Sequence, residues 1–320
     1  MIKTENLTKK FSDFTALDNV SCTIPEGCIY GMVGSNGAGK STFLRLLCGV
    51  YRADSGKILF DGEDVYENTN VKKDIVFVPD DLYFLPGANI GRMAKLYRRV
   101  YENFDNDRFK MLLDYFKLPI NRPINNFSKG MKRQAAIILA LSAKPKYILF
   151  DETFDGLDPV MRSFVKSLIY DDVASRNMTT VLSSHSLREL EDICDSLVLL
   201  HNGKIVLENN ISEFKEDVFK VQVAFGYDYD KSLFEGLNIT QFSKQGSVSN
   251  IIVKGESEEV QSAIKSKNPV LFEILPLTLE EVFTQKMQEF GYDFSEILDG
   301  INDNDNQLSK KGKEEKHDEK

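Results

Sequence analysis

The amino-acid sequence predicts a large α/β domain followed by a smaller α+β domain. Through residues 1–215, short apolar runs typical of buried strands alternate with segments of helical periodicity. From Asp217 onward, strand-like and helical runs follow one another in the order β-α-β-β-α-β, which fits a small ferredoxin-like unit. A chain of 320 residues has room for both domains.

The composition is that of a soluble globular protein, with 42% hydrophobic and 28% charged residues. Its formal net charge of −9 argues against a broad nucleic-acid surface, so no nucleic-acid partner is expected. The four cysteines are scattered, which favours reduced, buried thiols in a cytosolic protein. The sequence shows neither a signal-peptide core nor an apolar run near the roughly 20 residues of a membrane helix. Any membrane role is therefore expected to pass through a partner.

The first 80 residues predict strands around one glycine-rich loop. Residues 2–24 alternate apolar and polar side chains, which predicts antiparallel strands. Asp61-Gly62 is a strong hairpin signal. The remaining predicted elements are two buried strands, Cys28–Val33 and Asp74–Val78, and a helix over Phe43–Cys48.

Residues 86–145 change to helical periodicity. Four apolar residues share one helical face: Phe109, Leu112, Leu113 and Phe116. Ser128 is a natural N-cap for the helix that follows. A helix that begins Ser-x-Gly also offers free N–H groups to a phosphate. Taken alone the cap is the better interpretation, and only the neighbouring motifs favour a phosphate contact.

The segment Gly34–Thr42, GSNGAGKST, has the residues of a phosphate-binding loop. Its glycines let backbone N–H groups face a phosphate chain. Lys40 supplies a positive charge to the β and γ phosphates, and Ser41 supplies a hydroxyl to Mg2+. A predicted strand precedes the loop and a predicted helix follows it, so the segment predicts binding of a nucleoside triphosphate.

Two carboxylates and a histidine follow at strand ends. Tyr147–Glu152 is an apolar run that ends in Asp151 and Glu152. In a P-loop protein such an aspartate lies beside Mg2+, and the adjacent glutamate is placed to activate water as a general base. His185 follows the next predicted strand and is expected to sense the γ-phosphate. Phe11 is either a ring that stacks on a purine or a core side chain, and its position alone favours neither.

The order of these motifs resembles the nucleotide-binding subunit of ATP-binding cassette (ABC) transporters over residues 1 to about 215. Gly34–Thr42 matches Walker A, and Tyr147–Glu152 matches Walker B with the catalytic glutamate. Phe127–Met131 stands where the family has its signature sequence, and Asp155–Asp158 matches the D-loop. His185 matches the switch histidine. Phe11 falls where the family has an adenine-stacking aromatic residue, which favours a role in ATP binding.

The resemblance implies a P-loop NTPase fold with a mixed sheet core, an antiparallel β layer and a helical subdomain at about residues 86–145. It implies ATP and Mg2+ as cofactors, with Glu152, His185 and Asp80 as catalytic residues. Mg2+ would be held by Ser41, Asp151 and Asp80. The implied ATP contacts are Phe11, Gly34, Ser35, Asn36, Gly37, Ala38, Gly39, Lys40, Ser41 and Thr42 in one chain, with Ser128 and Gly130 contributed by a second chain.

Three departures from the family pattern bear on function. The signature segment has Phe127, Lys129 and Met131 in place of Leu, Gly and Gln. Asp80 occupies the place of the Q-loop glutamine, and an ionised aspartate cannot donate a hydrogen bond, although it could act through Mg2+ or water. Asp155 replaces a small residue in the D-loop. The first two features resemble bacterial ABC-2-type exporters and antibiotic-resistance ATPases, which favours export.

The resemblance further implies two kinds of partner. These are a multi-pass membrane permease and a second cassette subunit, in a homodimer or a heterodimer joined head to tail. The protein is then expected in the cytoplasm, on the inner face of the cell membrane. One alternative is a soluble ABC-type ATPase acting in translation or DNA repair, which the single cassette and the missing basic face disfavour. Another is a poorly hydrolysing nucleotide sensor, suggested by Asp80 and Lys129.

The predicted domains are an ATPase domain at 1–215, an accessory domain at 216–295 and a disordered tail at 296–320. The accessory domain shows no catalytic constellation, and is either a regulatory or dimer-supporting unit or a stabilising extension. Thr278–Phe290 predicts a helix in which Thr278 and Glu281 form a capping box. The tail is polar and nearly free of apolar residues, which is typical of disorder.

Overall fold

A computed structural model describes residues 1–210, 218–275, 277–278 and 281. The chain divides into two compact units, Met1–Glu208 and Asn209–Lys320. The predicted boundary at residue 215, the helix continuing to Phe290 and the tail all lie outside the described residues. Within the described ranges, no helix is long and apolar enough to cross a membrane.

The first unit begins with an antiparallel sheet, as the alternating pattern predicts. Its strands are β1 (Ile2–Phe11), β2 (Phe14–Ile24), β4 (Ser55–Phe60) and β5 (Glu63–Asp64), in the order β2-β1-β4-β5. The buried side chains of β1 and β2 include Ile2, Leu7, Leu17, Val20 and Ile24. Buried and exposed residues alternate from Val20 to Ile24, as expected for a strand with one face on the core, and register shifts in the β1–β2 pairing interrupt the alternation between Thr4 and Lys10.

A second sheet, of six strands, carries the loops that matter for function. The strands are β3 (Ile29–Val33), β6 (Ile75–Val78), β7 (Tyr147–Asp151), β8 (Thr179–Ser184), β9 (Ser196–His201) and β10 (Lys204–Asn210), in the order β10-β9-β3-β8-β7-β6. Strands β3, β8, β7 and β6 pair in parallel. All residues of β3 and β7 are buried, as expected for parallel strands covered on both faces. Their carboxyl ends therefore meet at one edge.

Helices connect the strands of this unit. They are α1 (Lys40–Leu47), α2 (Thr69–Lys72), α3 (Ile90–Val100), α4 (Asn106–Phe116), α5 (Lys129–Ser142), α6 (Pro159–Arg176) and α7 (Leu187–Glu191), with a 3-10 turn at Ile124–Asn126. The predicted apolar face of α4 is buried at Phe109, Leu112, Leu113 and Phe116. An ion pair between Arg108 of α4 and the fully buried Asp172 of α6, at 2.6 Å, ties the helical region to the rest of the unit.

The second unit contains a four-stranded antiparallel sheet with its own core. The strands β11 (Val218–Ala224), β12 (Asn238–Gln245), β13 (Val248–Lys254) and β14 (Leu271–Leu275) lie in the order β12-β13-β11-β14, and α8 spans Ser257–Lys265. Val260 and Ile264 of α8 pack in the core with sheet residues such as Val221 and Ile251.

One predicted helix of the second unit is shorter than expected. The first helical run, predicted over residues 230–237, is a single 3-10 turn, Lys231–Phe234, and Asp230 caps it by accepting a hydrogen bond from Ser232 N at 2.8 Å. Gly236 follows with φ 94°, a conformation that ends a helix. At the far end, Thr278 and Glu281 form the predicted reciprocal pair: Thr278 N donates to Glu281 Oε2 at 3.0 Å, and Glu281 N donates to Thr278 Oγ1 at 3.2 Å.

Candidate active site

The glycine-rich loop connects β3 to α1, as its sequence predicts. Two of its glycines are required by close backbone approach. A Cβ on Gly34 would lie 2.3 Å from Leu200 O, and a Cβ on Gly39, at φ 110°, would lie 2.7 Å from Ala16 O. Asn36 and Gly37 are exposed at the tip of the loop. Ser41 and Thr42 are half-buried in the first turn of α1, beside Lys40.

The side chain of Lys40 is nearly buried, with 6% of its surface exposed. Its ammonium donates hydrogen bonds to Gly34 O at 2.6 Å and Ser35 O at 3.3 Å. It also forms an ion pair with Glu152 Oε1 at 3.2 Å. The lysine therefore lies between the loop carbonyls and the predicted general base.

Glu152 follows β7 and has a left-handed backbone, with φ 48°. Its Oε2 lies 2.8 Å from His185 Nδ1 and accepts a hydrogen bond from His185 N at 3.3 Å. Burial raises the pKa of Glu152, but the hydrogen bond with His185 and the charge of Lys40 outweigh it, so the pKa lies below its ordinary value. The same hydrogen bond raises the pKa of His185 above its usual range, against the opposing effect of burial.

Asp151 is fully buried at the end of β7. Its Oδ1 accepts a hydrogen bond from Ser183 Oγ at 2.7 Å, and the same hydroxyl accepts one from Glu152 N at 3.1 Å. Its Oδ2 is buried without a hydrogen-bond partner among the described residues. A buried carboxylate oxygen of this kind is a suitable ligand for Mg2+, which takes one or two protein oxygens and completes its shell with water and phosphate. Within the described ranges, no group of three or more His, Cys, Asp or Glu side chains could hold a metal ion.

The structure places Asp80 in contact with α5. Asp80 Oδ1 pairs with Arg133 Nη2 at 2.7 Å, and Arg133 Nη1 also donates to Pro79 O and Asp80 O, each at 3.1 Å. Among the described residues, Arg133 is therefore the ion-pair partner of this carboxylate. The assignment of Asp80 to Mg2+ and to catalysis stays a prediction.

The signature segment forms the beginning of α5. Ser128 is the N-cap, and its hydroxyl accepts a hydrogen bond from Met131 N at 3.2 Å. Gly130 lies against the D-loop, since a Cβ there would be 2.9 Å from Gly156 O. Lys129 forms an ion pair with Asp155 at 2.6 Å. Two departures from the family pattern, Lys129 and Asp155, thus pair with each other.

Phe11 lies at the end of β1 with 40% of its surface exposed. The rings of Phe11 and Tyr51 form a T-shaped pair with centroids 5.4 Å apart, and Lys9 Nζ lies 5.4 Å from the centroid of the Phe11 ring. The half-exposed ring is available for stacking, and the role in binding adenine stays a prediction.

Two residues of this region were not anticipated from the sequence. Ser183 positions Asp151 and Glu152, yet it lies in a strand of uniform burial where no periodic pattern marks it. Arg133 is a charged residue on a helix of mostly apolar residues, and this position in the sequence could have indicated a buried ion pair.

Comparison with known proteins gives consistent similarities. The family described as ABC transporter matches residues 17–155. The ABC transporter ATP-binding protein YtrB of Bacillus subtilis (strain 168) is 33% identical over 286 residues, covering 89% of this chain and 98% of that protein. The lantibiotic transport ATP-binding protein SrtF of Streptococcus pyogenes is 31% identical over 245 residues, covering 70% of this chain and 98% of that protein.

Solved structures share the fold of the first unit. A dimeric bacterial ABC transporter cassette aligns with a TM-score of 0.61 at 23% identity, covering 66% of this chain and 99% of that one. At this level of identity the likeness establishes the fold.

Proposed function

We propose that this chain, which belongs to the ABC transporter family of ATP-binding proteins and is an ATPase, energises a separately encoded membrane permease. We further propose that this permease is an exporter. The hydrolytic part of the proposal rests on the contact of Glu152 with both Lys40 and His185, beside the buried Asp151. This set contains a phosphate-binding cation, a general base and a metal ligand, which are the groups that phosphoryl transfer to water requires.

The contacts of Lys40 support a sequence of events at the site. Binding of ATP draws the Lys40 ammonium from Glu152 toward the β and γ phosphates. Loss of this neighbouring cation raises the pKa of Glu152, because Lys40 contributes to holding it low. Glu152 then accepts the proton of the attacking water at a carboxylate oxygen, while His185 holds the other oxygen through Nδ1.

Asp151 Oδ2 and the hydroxyl of Ser41 are the groups that would hold Mg2+. The bound ion would neutralise negative charge on the phosphates during transfer. Ser183 keeps Asp151 oriented through its hydrogen bond to Oδ1, which leaves Oδ2 for the metal.

The signature segment supports a second cassette as partner. Ser128 is exposed at the N-terminus of α5, where free N–H groups and the helix dipole favour an anion. In a head-to-tail pair, Ser128 and Gly130 of one chain would contact the ATP held by the P-loop of the other. This chain carries both halves of such a site, so a homodimer would have two complete sites.

Export through a permease is supported by the relatives and by the chain itself. No helix within the described residues could span a membrane, so a translocation path would come from a partner. The lantibiotic transport protein among the relatives favours an exported substrate. The protein would then lie on the inner face of the cell membrane.

The test is to purify the tagged protein from detergent-solubilised native membranes and to identify the proteins that accompany it. We expect a polytopic membrane protein, retained in Mg2+ and ATP, together with a second copy of this chain. The matched control is the same tag on an unrelated ATPase. Recovery of ribosomal or DNA-repair proteins instead would favour the soluble alternative and contradict the proposal.

A further inference from the structure

We propose that Asp80 is a positioning residue that acts through Arg133 to hold the signature segment in register with the catalytic strand. The inference deepens the proposed function, on which it rests. We call the Asp80–Arg133 ion pair, together with the two hydrogen bonds from Arg133 to backbone carbonyls, the brace. In this proposal Asp80 orients α5 and does not bind Mg2+.

The brace is built around a buried charge. Arg133 is 1% exposed, and burying a guanidinium is costly unless it is paired and hydrogen-bonded. Asp80 supplies the pairing carboxylate at 2.7 Å, and the carbonyls of Pro79 and Asp80 accept two further hydrogen bonds at 3.1 Å. One short segment after β6 thus accepts hydrogen bonds from both terminal nitrogens of this side chain, while Nε has no partner among the described residues, so the segment fixes the position of the guanidinium end.

The brace joins two segments that serve the two ATP sites of a head-to-tail pair. Asp80 comes two residues after β6, and Val78 of β6 pairs with Phe150, the residue before Asp151. Arg133 lies five residues after Ser128, or about 7 Å along the helix axis. A shift or rotation of α5 against β6 would therefore move Ser128 and Gly130, which contact the ATP of the other chain, relative to the carboxylates that serve this chain's own ATP.

The charges at the start of α5 give independent support. The first turns of this helix carry Lys129, Lys132 and Arg133, and its first turn has no acidic residue. Cations are unfavourable at the positive end of a helix. Two carboxylates outside the helix offset this arrangement, Asp155 at Lys129 and Asp80 at Arg133. The position of α5 thus depends on acidic partners from two other segments.

The experiment compares Asp80→Asn, Arg133→Gln and the double variant. The matched controls are Asp81→Asn, the exposed neighbouring carboxylate, and Lys132→Gln, the neighbouring cation. For each protein, the kcat of ATP hydrolysis, the Mg2+ concentration for half-maximal rate, direct ATP binding and the thermal unfolding midpoint are measured.

We expect each single variant to lower kcat about tenfold, since small misplacement of a reacting group is costly. The double variant should lose about the same factor, because either change alone already breaks the brace. ATP binding and the Mg2+ requirement should stay near the wild-type values, and the two controls should keep the wild-type kcat, ATP binding and Mg2+ requirement.

Three results would overturn the inference. One is a Mg2+ requirement raised about tenfold in Asp80→Asn alone, as loss of a metal-ligand contact would give. Another is an unchanged kcat in both single variants. The third is a double variant whose kcat falls by the product of the two single-variant factors. If Arg133→Gln does not fold, Arg133→Lys replaces it, since it keeps the charge but loses the paired geometry. A wild-type protein without Mg2+-dependent hydrolysis would instead contradict the ATPase assignment.

Discussion

Glu152 lies between the Lys40 ammonium at 3.2 Å and the His185 ring at 2.8 Å. These contacts keep the carboxylate ionised and fix both of its oxygens. An ionised carboxylate is ready to accept a proton, but a low pKa makes it a weak base. Movement of Lys40 onto a phosphate would thus couple the strength of the base to the arrival of its substrate.

Replacement of Glu152 by Gln should test this role directly. The amide keeps the shape of the side chain but cannot accept the proton, so kcat should fall by about 10²- to 10⁴-fold. ATP binding should persist, whereas Lys40→Ala should weaken binding as well. The control is Glu102→Gln, an exposed glutamate of the same unit. A Glu152→Gln protein with activity near that of the wild type would contradict the general-base assignment.

The Glu152–His185 pair should make stability depend on pH. The raised pKa of His185 gives stability that is complete below its ordinary value of 6.5 and is lost as pH rises through the raised pKa. The lowered pKa of Glu152 gives stability that is complete above its ordinary value of 4.5 and is lost as pH falls through the lowered pKa. The contribution is therefore greatest between these two values.

His185→Gln should remove this dependence. The difference in free energy of unfolding between wild type and variant should be larger at about pH 5.5 than at about pH 8.5, as urea unfolding would show. His201→Gln is the control, since the ring of His201 contacts Asn202 and has no carboxylate partner among the described residues. An equal difference at both pH values would contradict the pairing.

At the scale of elements, the sequence was most informative where periodicity reports burial. The antiparallel layer, the apolar face of α4 and the Ser128 cap could all be predicted, since each depends on local spacing. The first helix of the second unit was overestimated, because Gly236 ends it after one 3-10 turn. The helix propensity of the eight residues of this run did not outweigh the break at Gly236.

Contacts between elements could not be predicted in the same way. Arg133 meets Asp80 across 53 residues of sequence, and Ser183 meets Asp151 across 32. Nothing local marks either partner, because the pairing arises only when strands and helices pack. The motif residues were found because their spacing is local, whereas the residues that orient them depend on the assembled sheet.

At the scale of the whole molecule, each unit has a separate core. The first unit contains every described site residue, from Phe11 to His185, and buries its own apolar cluster. The second buries another cluster between its sheet and α8. Each therefore has what a domain needs to fold by itself.

A chain that ends at Asn210 should fold and retain ATP hydrolysis within about threefold of the full chain, because the first unit has its own core. Circular dichroism and a steady-state ATPase assay would measure both properties. The control is the same truncation carrying Glu152→Gln, which should be inactive. A truncated chain that folds but does not hydrolyse ATP would show that the second unit contributes to the reaction.

The half-exposed position of Phe11 is also suitable for introducing a fluorescent reporter. The chain contains no tryptophan, so Phe11→Trp would introduce its sole indole at the position predicted to meet the base. An indole keeps the flat stacking surface of the native ring. Its fluorescence would follow the arrival and departure of unlabelled nucleotide in real time, without a contribution from any other indole in the chain.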